Sequence, residues 1–248
     1  MSAFPYYLKM SRTQALFRIV AGALAIVGFA AVPPSGDADG RMNRVTRAML
    51  CVTEGSLDEM SGDRLSVRVP KMRAYVNRQT LQLIQAHFTY GGPTGTEARL
   101  GSGQLRRQFG LKLRSQDPCN LVYVMWRIEP QSELVVSVKT NPGEHTSAEC
   151  ANRGYRNIRP ARKSPVPSLR PGDSHTLQAV MNGENLRVFV DGSSIWEGAL
   201  GADVLRLDGP VGIRSDNAQV EFELSVGELP GAHPSFVLPC KSGPSESE

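Results

Sequence analysis

Between residues 64 and 226 the chain is a succession of short stretches in which apolar and polar residues alternate, separated by turn-forming dipeptides. Period-two alternation puts successive side chains on opposite faces of a strand, and no segment here sustains the 3.6-residue spacing of an amphipathic helix. Leu65, Val67 and Val69 alternate with Arg64, Ser66 and Arg68. Similar stretches cover residues 81–88, 105–114, 121–129, 133–140, 175–181, 184–190, 194–200, 211–214 and 219–226. Asp117-Pro118, Asn141-Pro142-Gly143, Asn182-Gly183, Asp191-Gly192 and Asp208-Gly209-Pro210 mark turns. Some ten short strands, with 24 glycines, 17 prolines and only 6% aromatic residues, predict one all-β domain, an antiparallel sandwich or barrel. Residues 142–172, rich in Arg and Pro, read as a long loop, and residues 42–60 as a short helix or an entry strand around Cys51.

Two hairpins can be placed in register. A two-residue turn at Asp191-Gly192 sets Val190 opposite Ser193, Val188 opposite Ile195 and Arg187 opposite Trp196. Leu186, Val188, Val190 and Ile195 then face the core, while Arg187, Phe189 and Trp196 share the other face. A turn over residues 117–120 sets Arg114 opposite Tyr123, Lys112 opposite Met125 and Gly110 opposite Arg127. Val122, Val124, Trp126 and Ile128 take the core parity. Gln108, Lys112, Arg114, Tyr123 and Arg127 share a polar, basic face with Tyr123 as an exposed ring.

The compartment follows from the N-terminus and the cysteines. Residues 19–32 are apolar and follow Lys9, Arg12 and Arg18. As a helix they rise about 21 Å, short of the roughly 30 Å hydrocarbon core. The expectation is a signal peptide over 1–30, with small Gly28 and Ala30 before the cleavage point, and membrane contact only through an uncleaved signal. A linker over 31–48, a domain over 49–240 and a disordered tail over 241–248 complete the division. The four cysteines include no CxxC pair, so a disulfide framework in a secreted or periplasmic protein is expected. Of the three possible pairings, Cys119–Cys150 would pin the long loop and Cys51–Cys240 would tie the two ends of the domain.

Net charge excludes one class of partner. The formal charge is +4, but without Lys9, Arg12 and Arg18 the Lys+Arg count falls from 28 to 25 against 24 Asp+Glu. A near-neutral domain has no field to steer it to phosphates, so no nucleic-acid partner is expected.

The C-terminal half carries a family resemblance. The run from His175 through Leu177, Gly183, Leu186, Val188 and Val190 to Asp191-Gly192, followed by Trp196-Glu197-Gly198, resembles a hairpin of the concanavalin A-like lectin/glucanase superfamily in its laminin-G-like branch. Gly209-Pro-Val-Gly-Ile-Arg-Ser-Asp-Asn217 with the strand after it is similar to the closing strand pair of that superfamily. The resemblance covers residues 175–226 and is only topological over 64–140. It implies a two-sheet antiparallel jelly-roll sandwich, and binding of sugars or proteins on the concave face or rim loops. It does not imply a chemistry. Bacterial 3-keto-disaccharide hydrolase-like domains end in a similar strand pair.

Catalytic motifs are sparse. Retaining glucanases need paired carboxylates at a fixed spacing on one strand face. Asp58 breaks the parity between Glu54 and Glu59, and Glu221 and Glu223 read as a solvated outer face. Gly172-Asp-Ser-His175 is a turn entering a strand, without the surroundings of a nucleophile elbow. His87, His145, His175 and His233 are scattered, and the loop glycines precede no helix that would cradle a nucleotide. No cofactor is expected, with one exception: some jelly rolls of this type hold calcium at a rim, and Asp216 and Asn217, then Asp173, are the oxygen donors near strand ends that could do so. The ligand-binding residues expected are Arg114, Tyr123 and Arg127, with Lys112 and Gln108. Arg forks suit carboxylates or sulfates, so the expected partner is a polysaccharide or other glycan of acidic type, with another envelope protein as the alternative. The function this implies is an exported, non-catalytic glycan-binding or cell-envelope interaction module. A sugar-processing hydrolase and a protein-binding structural domain are the alternatives.

Overall fold

The structure, a computed structural model, describes residues 42–228 and Cys240. The signal peptide expected over 1–30, the expected linker up to residue 41 and the tail expected over 241–248 lie outside the described residues.

Sixteen strands are present among them, in chain order β1 (Met42–Val45), β2 (Leu50–Glu54), β3 (Asp58–Glu59), β4 (Leu65–Val67), β5 (Lys71–Val76), β6 (Leu83–Pro93), β7 (Arg107–Asp117) and β8 (Asn120–Glu129). They continue with β9 (Glu133–Lys139), β10 (Tyr155–Asn157), β11 (Arg162–Lys163), β12 (Ser174–Asn182), β13 (Asn185–Val190), β14 (Ser193–Ala199), β15 (Gly212–Asp216) and β16 (Ala218–Gly227). Met42–Val45 is thus a strand on β16 rather than the end of a linker. β5 is additional to the expected strands, and β10 and β11 interrupt the expected long loop, as does the short helix α1 (Ser147–Cys150). No helix among the described residues is long and apolar enough to cross a membrane.

The strands form two antiparallel sheets stacked as a sandwich, not a closed barrel. One sheet runs β11-β14-β13-β12-β6-β16-β4-β3, with β1 beside β16, and the other β10-β9-β8-β7-β15-β5-β2. Alternation explains the packing. Phe88 and Phe222 point inward from the first sheet, Phe109 and Trp126 from the second, with ring centroids 4.9 Å apart for Phe88–Phe109 and 5.6 Å for Phe88–Trp126 and Phe109–Phe222. Val122, Val124, Trp126 and Ile128 are all in this core, as their parity requires.

Both detailed registers need correction, each because of a β-bulge. In the β13–β14 hairpin Asp191 and Gly192 take positive φ angles of 50° and 77°, as a tight hairpin turn demands, and Val190 faces Ser193. Beyond Phe189 the register slips by one, so Val188 faces Trp196 and Arg187 faces Glu197. A one-residue slip exchanges faces, and Trp196 packs into the core beside Ile195. In the β7–β8 hairpin three residues of β7 oppose one of β8 between Leu113–Val122 and Asp117–Asn120. Lys112 therefore faces Tyr123, Gly110 faces Met125 and Gln108 faces Arg127. Arg114, at φ 45°, sits in the bulge. Gly209 makes that bulge possible, since a Cβ on it would lie 2.3 Å from the Ser115 carbonyl carbon.

Two disulfides join Cys51 to Cys240 and Cys119 to Cys150, the pairing expected from their positions.

Candidate functional site

The outer face of the seven-stranded sheet departs from a plain solvated surface: it buries charge. Arg73, Gln108, Lys112, Lys139, Arg214 and Asp216 are all buried there. Asp216, fully enclosed, organises this layer. Its Oδ1 accepts from Arg73 Nη2 at 2.6 Å, and its Oδ2 accepts from Gln108 Nε2 at 2.6 Å and from Arg214 Nε at 2.8 Å. Burial alone would raise the carboxyl pKa, but the Arg214 and Arg73 guanidinium groups and the Gln108 hydrogen bond outweigh it and hold the value at about 2.

Asn217 does for one wall what Asp216 does for the floor. At φ 54° it turns the chain from β15 into β16. Its Oδ1 accepts from Ala98 N at 2.7 Å, while Nδ2 donates to the Ala98 and Arg106 carbonyls at 2.9 Å. The segment 94–106 is thereby pinned beside the sheet. Asp216 and Asn217 do not fit calcium: the carboxylate oxygens already accept from two guanidinium groups and an amide, and the Asn217 oxygen is taken by a backbone N–H. The rim expectation for these residues is therefore replaced by a structural one.

Across the sheet an aromatic and cationic column runs from β15 to β10. The Arg214 guanidinium lies 4.8 Å from the Tyr123 ring centroid, Tyr123 stacks on Tyr155 at 6.1 Å, and Lys139 Nζ lies 4.9 Å from the Tyr155 centroid. Gly110 lies between Arg214 and Met125 in the sheet, and a Cβ on it would come within 2.2 Å of the Val124 carbonyl oxygen. Glycine there lets the Arg214 side chain cross β7 towards Tyr123.

Over this floor lies a groove with a cavity volume of about 200 Å³. Its lining includes the cationic Arg106, Arg127 and Arg214, the polar Gln108, Ser137, Asn152 and Asn157, and Tyr155, with Met125 as an apolar element. The 94–106 segment forms one wall. The other is the 141–157 segment, held by the Cys119–Cys150 disulfide and by Lys139 Nζ donating to the Ala151 carbonyl at 2.8 Å. The α1 entry is capped by Glu149, whose carboxylate accepts from His145 N and Thr146 N; these backbone donors lower its pKa.

The expected binding residues divide. Gln108, Tyr123 and Arg127 line the groove, and Lys112 lies on the same sheet face. Arg114 does not join them. Its N–H donates to Gln82 Oε1 at 2.7 Å and its Nη1 to the Leu207 carbonyl at 2.9 Å, tying the bulge to the opposite sheet's connections. Tyr123 is no exposed ring, being 3% accessible. The basic loop residues are largely paired: Arg153 with Glu144, Arg156 with Asp203, and Arg162 with Glu197. Glu221 and Glu223 pair with Arg64 and Arg44 on the outer face of the other sheet, as a solvated face would.

Arg106, Ser137, Asn152, Asn157 and Arg214 are among the groove residues that sequence reasoning did not single out. Arg106 shares parity with Gln108, which was a usable signal. Arg214 and Tyr155 reach the groove only because β15 pairs with β7 and β10 with β9.

No protein-family model matches the sequence, and no curated protein matches it. Solved structures do resemble it. The carbohydrate-binding module CBM66 from Bacillus subtilis is 13% identical with a TM-score of 0.47, over 70% of this chain and 91% of that one. The Crh5 transglycosylase in complex with NAG is 10% identical with a TM-score of 0.46, over 79% and 86%. Domain 4 of AbnA, an extracellular arabinanase from Geobacillus stearothermophilus, in complex with arabinotriose, is 10% identical with a TM-score of 0.41, over 78% and 85%. The structures found are jelly-roll or concanavalin A-like sandwiches. The fold assignment rests on this chain's own strand pairing, and the chemistry of the groove on its own side chains.

Proposed function

We propose that this chain is an exported, non-catalytic glycan-binding module that takes its ligand in the groove over the seven-stranded sheet. The observation that carries this reading is the groove lining. Carboxamides from Gln108, Asn152 and Asn157 and the Ser137 hydroxyl suit a hydroxyl-rich ligand, while Met125 and Tyr155 offer apolar faces to its C–H groups. Three arginines suit an acidic polysaccharide. Among the described lining residues there is no Asp, Glu, His or Cys, so the acid–base pair of a glycosidase has no candidates in the groove. Two disulfides support an oxidising compartment, secreted or periplasmic.

The test is a glycan and polysaccharide binding screen on the oxidised protein, with an Asn152→Ala/Asn157→Ala variant beside it. Both asparagines are exposed, so this variant should keep the stability of the parent while binding about tenfold more weakly or worse. Silence from a folded sample overturns the reading. Retention of a single protein, insensitive to free sugars, would replace it with an envelope-protein partner. Turnover of a bound sugar would replace it with the hydrolase.

A further inference from the structure

The three groove arginines are not equivalent. Arg214 is paired with Asp216, and Arg127 Nη1 lies 2.5 Å from Glu133 Oε1. Arg106 forms no ion pair within 4 Å among the described residues; its Nη2 donates to Gln104 Oε1. Asp216 is shared with Arg73 and Glu133 with Lys163, so neither carboxylate is left over for Arg106. Arg106 is also partly withdrawn from water. Burial, and then the positive charges of Arg127 and Arg214, lower its pKa from the ordinary arginine value, against the opposing pull of the Glu133 and Asp216 carboxylates. Burying like charges together is unfavourable unless an anion arrives between them.

The position is rigid. The Arg106 carbonyl is held by Asn217 Nδ2 at 2.9 Å, and Gln108, two residues along, is held by Asp216. Arg127 stands directly opposite Gln108 across the β7–β8 pair, and its Nε is buried with no hydrogen-bond partner among the described residues. Along the sheet the Gln108–Arg127 pair lies four residues from the Lys112–Tyr123–Ser137–Asn157 row, so the arginine and the hydroxyl-matching residues take different rows of the groove floor.

We infer that Arg106, in the groove it shares with Arg127 and Arg214, forms an oxyanion subsite that takes one anionic substituent of the glycan, a uronate carboxylate or a sulfate ester. This rests on the glycan-binding reading of the groove and adds the charge and the place at which it is read. The planar guanidinium fork accommodates either group.

The experiment compares four probes by titration calorimetry: polygalacturonate, its fully methyl-esterified form, a sulfated galactan and the same galactan unsulfated. Each is measured at low and high salt on the parent protein and on Arg106→Gln. The parent should bind at least one charged probe about tenfold or more tighter than its uncharged counterpart, with affinity falling as salt rises. Preference for polygalacturonate identifies the carboxylate, and preference for the sulfated galactan the ester. Arg106→Gln removes a half-exposed side chain without touching the backbone hydrogen bond, and it should erase the preference and most of the salt dependence. Equal affinity for charged and uncharged probes, or an unchanged preference in Arg106→Gln, overturns the subsite and leaves glycan binding standing. The parent comparison stands even if the variant fails to fold. Failure of the folded parent to bind any glycan overturns both readings.

Discussion

Asn217 and Ala98 hold each other at both ends of one carboxamide: the Ala98 N–H donates to Asn217 Oδ1 at 2.7 Å, and Asn217 Nδ2 donates to the Ala98 carbonyl at 2.9 Å. This pairing joins a turn at the end of β15 to a segment 119 residues away in sequence, the one that carries Arg106 into the groove. Loss of the carboxamide leaves three partly buried backbone groups unsatisfied.

Asn217→Ala should therefore destabilise the protein by on the order of 3 kcal/mol, through lost hydrogen bonds and an alanine forced into the left-handed region. Asn217→Gly relieves the second cost only, so it should be the more stable of the two by roughly 1 kcal/mol. Urea unfolding measures both differences. Limited proteolysis should cut within residues 94–106 faster in both variants than in the parent. Equal cutting rates would mean that the amide does not hold the wall.

Asp216 makes stability depend on acid. Its carboxyl is held at about 2 against an ordinary 3.8, so the folded state binds the proton less readily than the unfolded chain. The stabilisation is present above the unfolded value and is lost as pH falls through about 2, and it amounts to roughly 2 kcal/mol. Urea midpoints measured between pH 5 and about 2 should show this fall in the parent and less of it in Asp216→Asn. At neutral pH Asp216→Asn should cost about 3–5 kcal/mol, because Arg73 and Arg214 keep their buried charges without the partner. Ligand binding should be indifferent to a calcium chelator, since these oxygens already accept from arginine and glutamine donors.

Tyr123 and Tyr155 lie on the same face but should respond differently. Tyr123 is buried among Leu121, Met125 and Tyr155, so Tyr123→Ala should lower stability by about 3–5 kcal/mol. That reverses the expectation of an exposed ring whose loss the fold would ignore. Tyr155 is half-buried at the sheet edge, and Tyr155→Ala should cost less stability while weakening glycan binding. Thermal melts and binding titrations on the two variants separate the roles. A larger drop in melting temperature for Tyr155→Ala than for Tyr123→Ala would contradict the assignment.

The Cys119–Cys150 disulfide closes a separation of 31 residues around the second wall. The chain-entropy model gives roughly 3–4 kcal/mol for such a loop. Peptide mapping without reductant should recover Cys119 linked to Cys150 and Cys51 linked to Cys240. A Cys119→Ser/Cys150→Ser double variant should fold with lower stability and weaker binding, because Asn152, Tyr155 and Asn157 lose their anchor. Unchanged affinity would separate the wall from the site.

Much of this molecule is written in local pattern. Alternation along residues 121–129 put Trp126 in the core, and alternation from Gln108 to Lys112 put those two polar positions on one outer face. Both follow because side-chain direction in a strand is set by parity alone. The cysteine pairing was legible for a related reason: it joins the ends of elements that the turn residues had already delimited.

Registers were not legible, and the two bulges show why. The slip beside Leu113 displaces β7 against β8 by two residues, which preserves parity, so Lys112 meets Tyr123 instead of Met125 yet stays on the expected face. The slip beside Phe189 is a single residue, which inverts parity, so Trp196 moves from the outer face into the core. A bulge is selected by how well the two sheets then pack, and it leaves no mark on the hydropathy period. Arg114 belongs to the same class: its place in the first bulge took it out of the groove.

Asp216 and Asn217 mark the same boundary in chemistry. As residue types at a strand end they suit a turn or a cation, and their sequence neighbours do not separate those uses. Only the packing of β15 between β5 and β7 brings Arg73 and Gln108 to the carboxylate and encloses it. Local alternation settled which residues face outward, because it needs only the pleat of one strand. Pairing between distant strands settled which of them meet in the groove, because that depends on energies shared across the sheet.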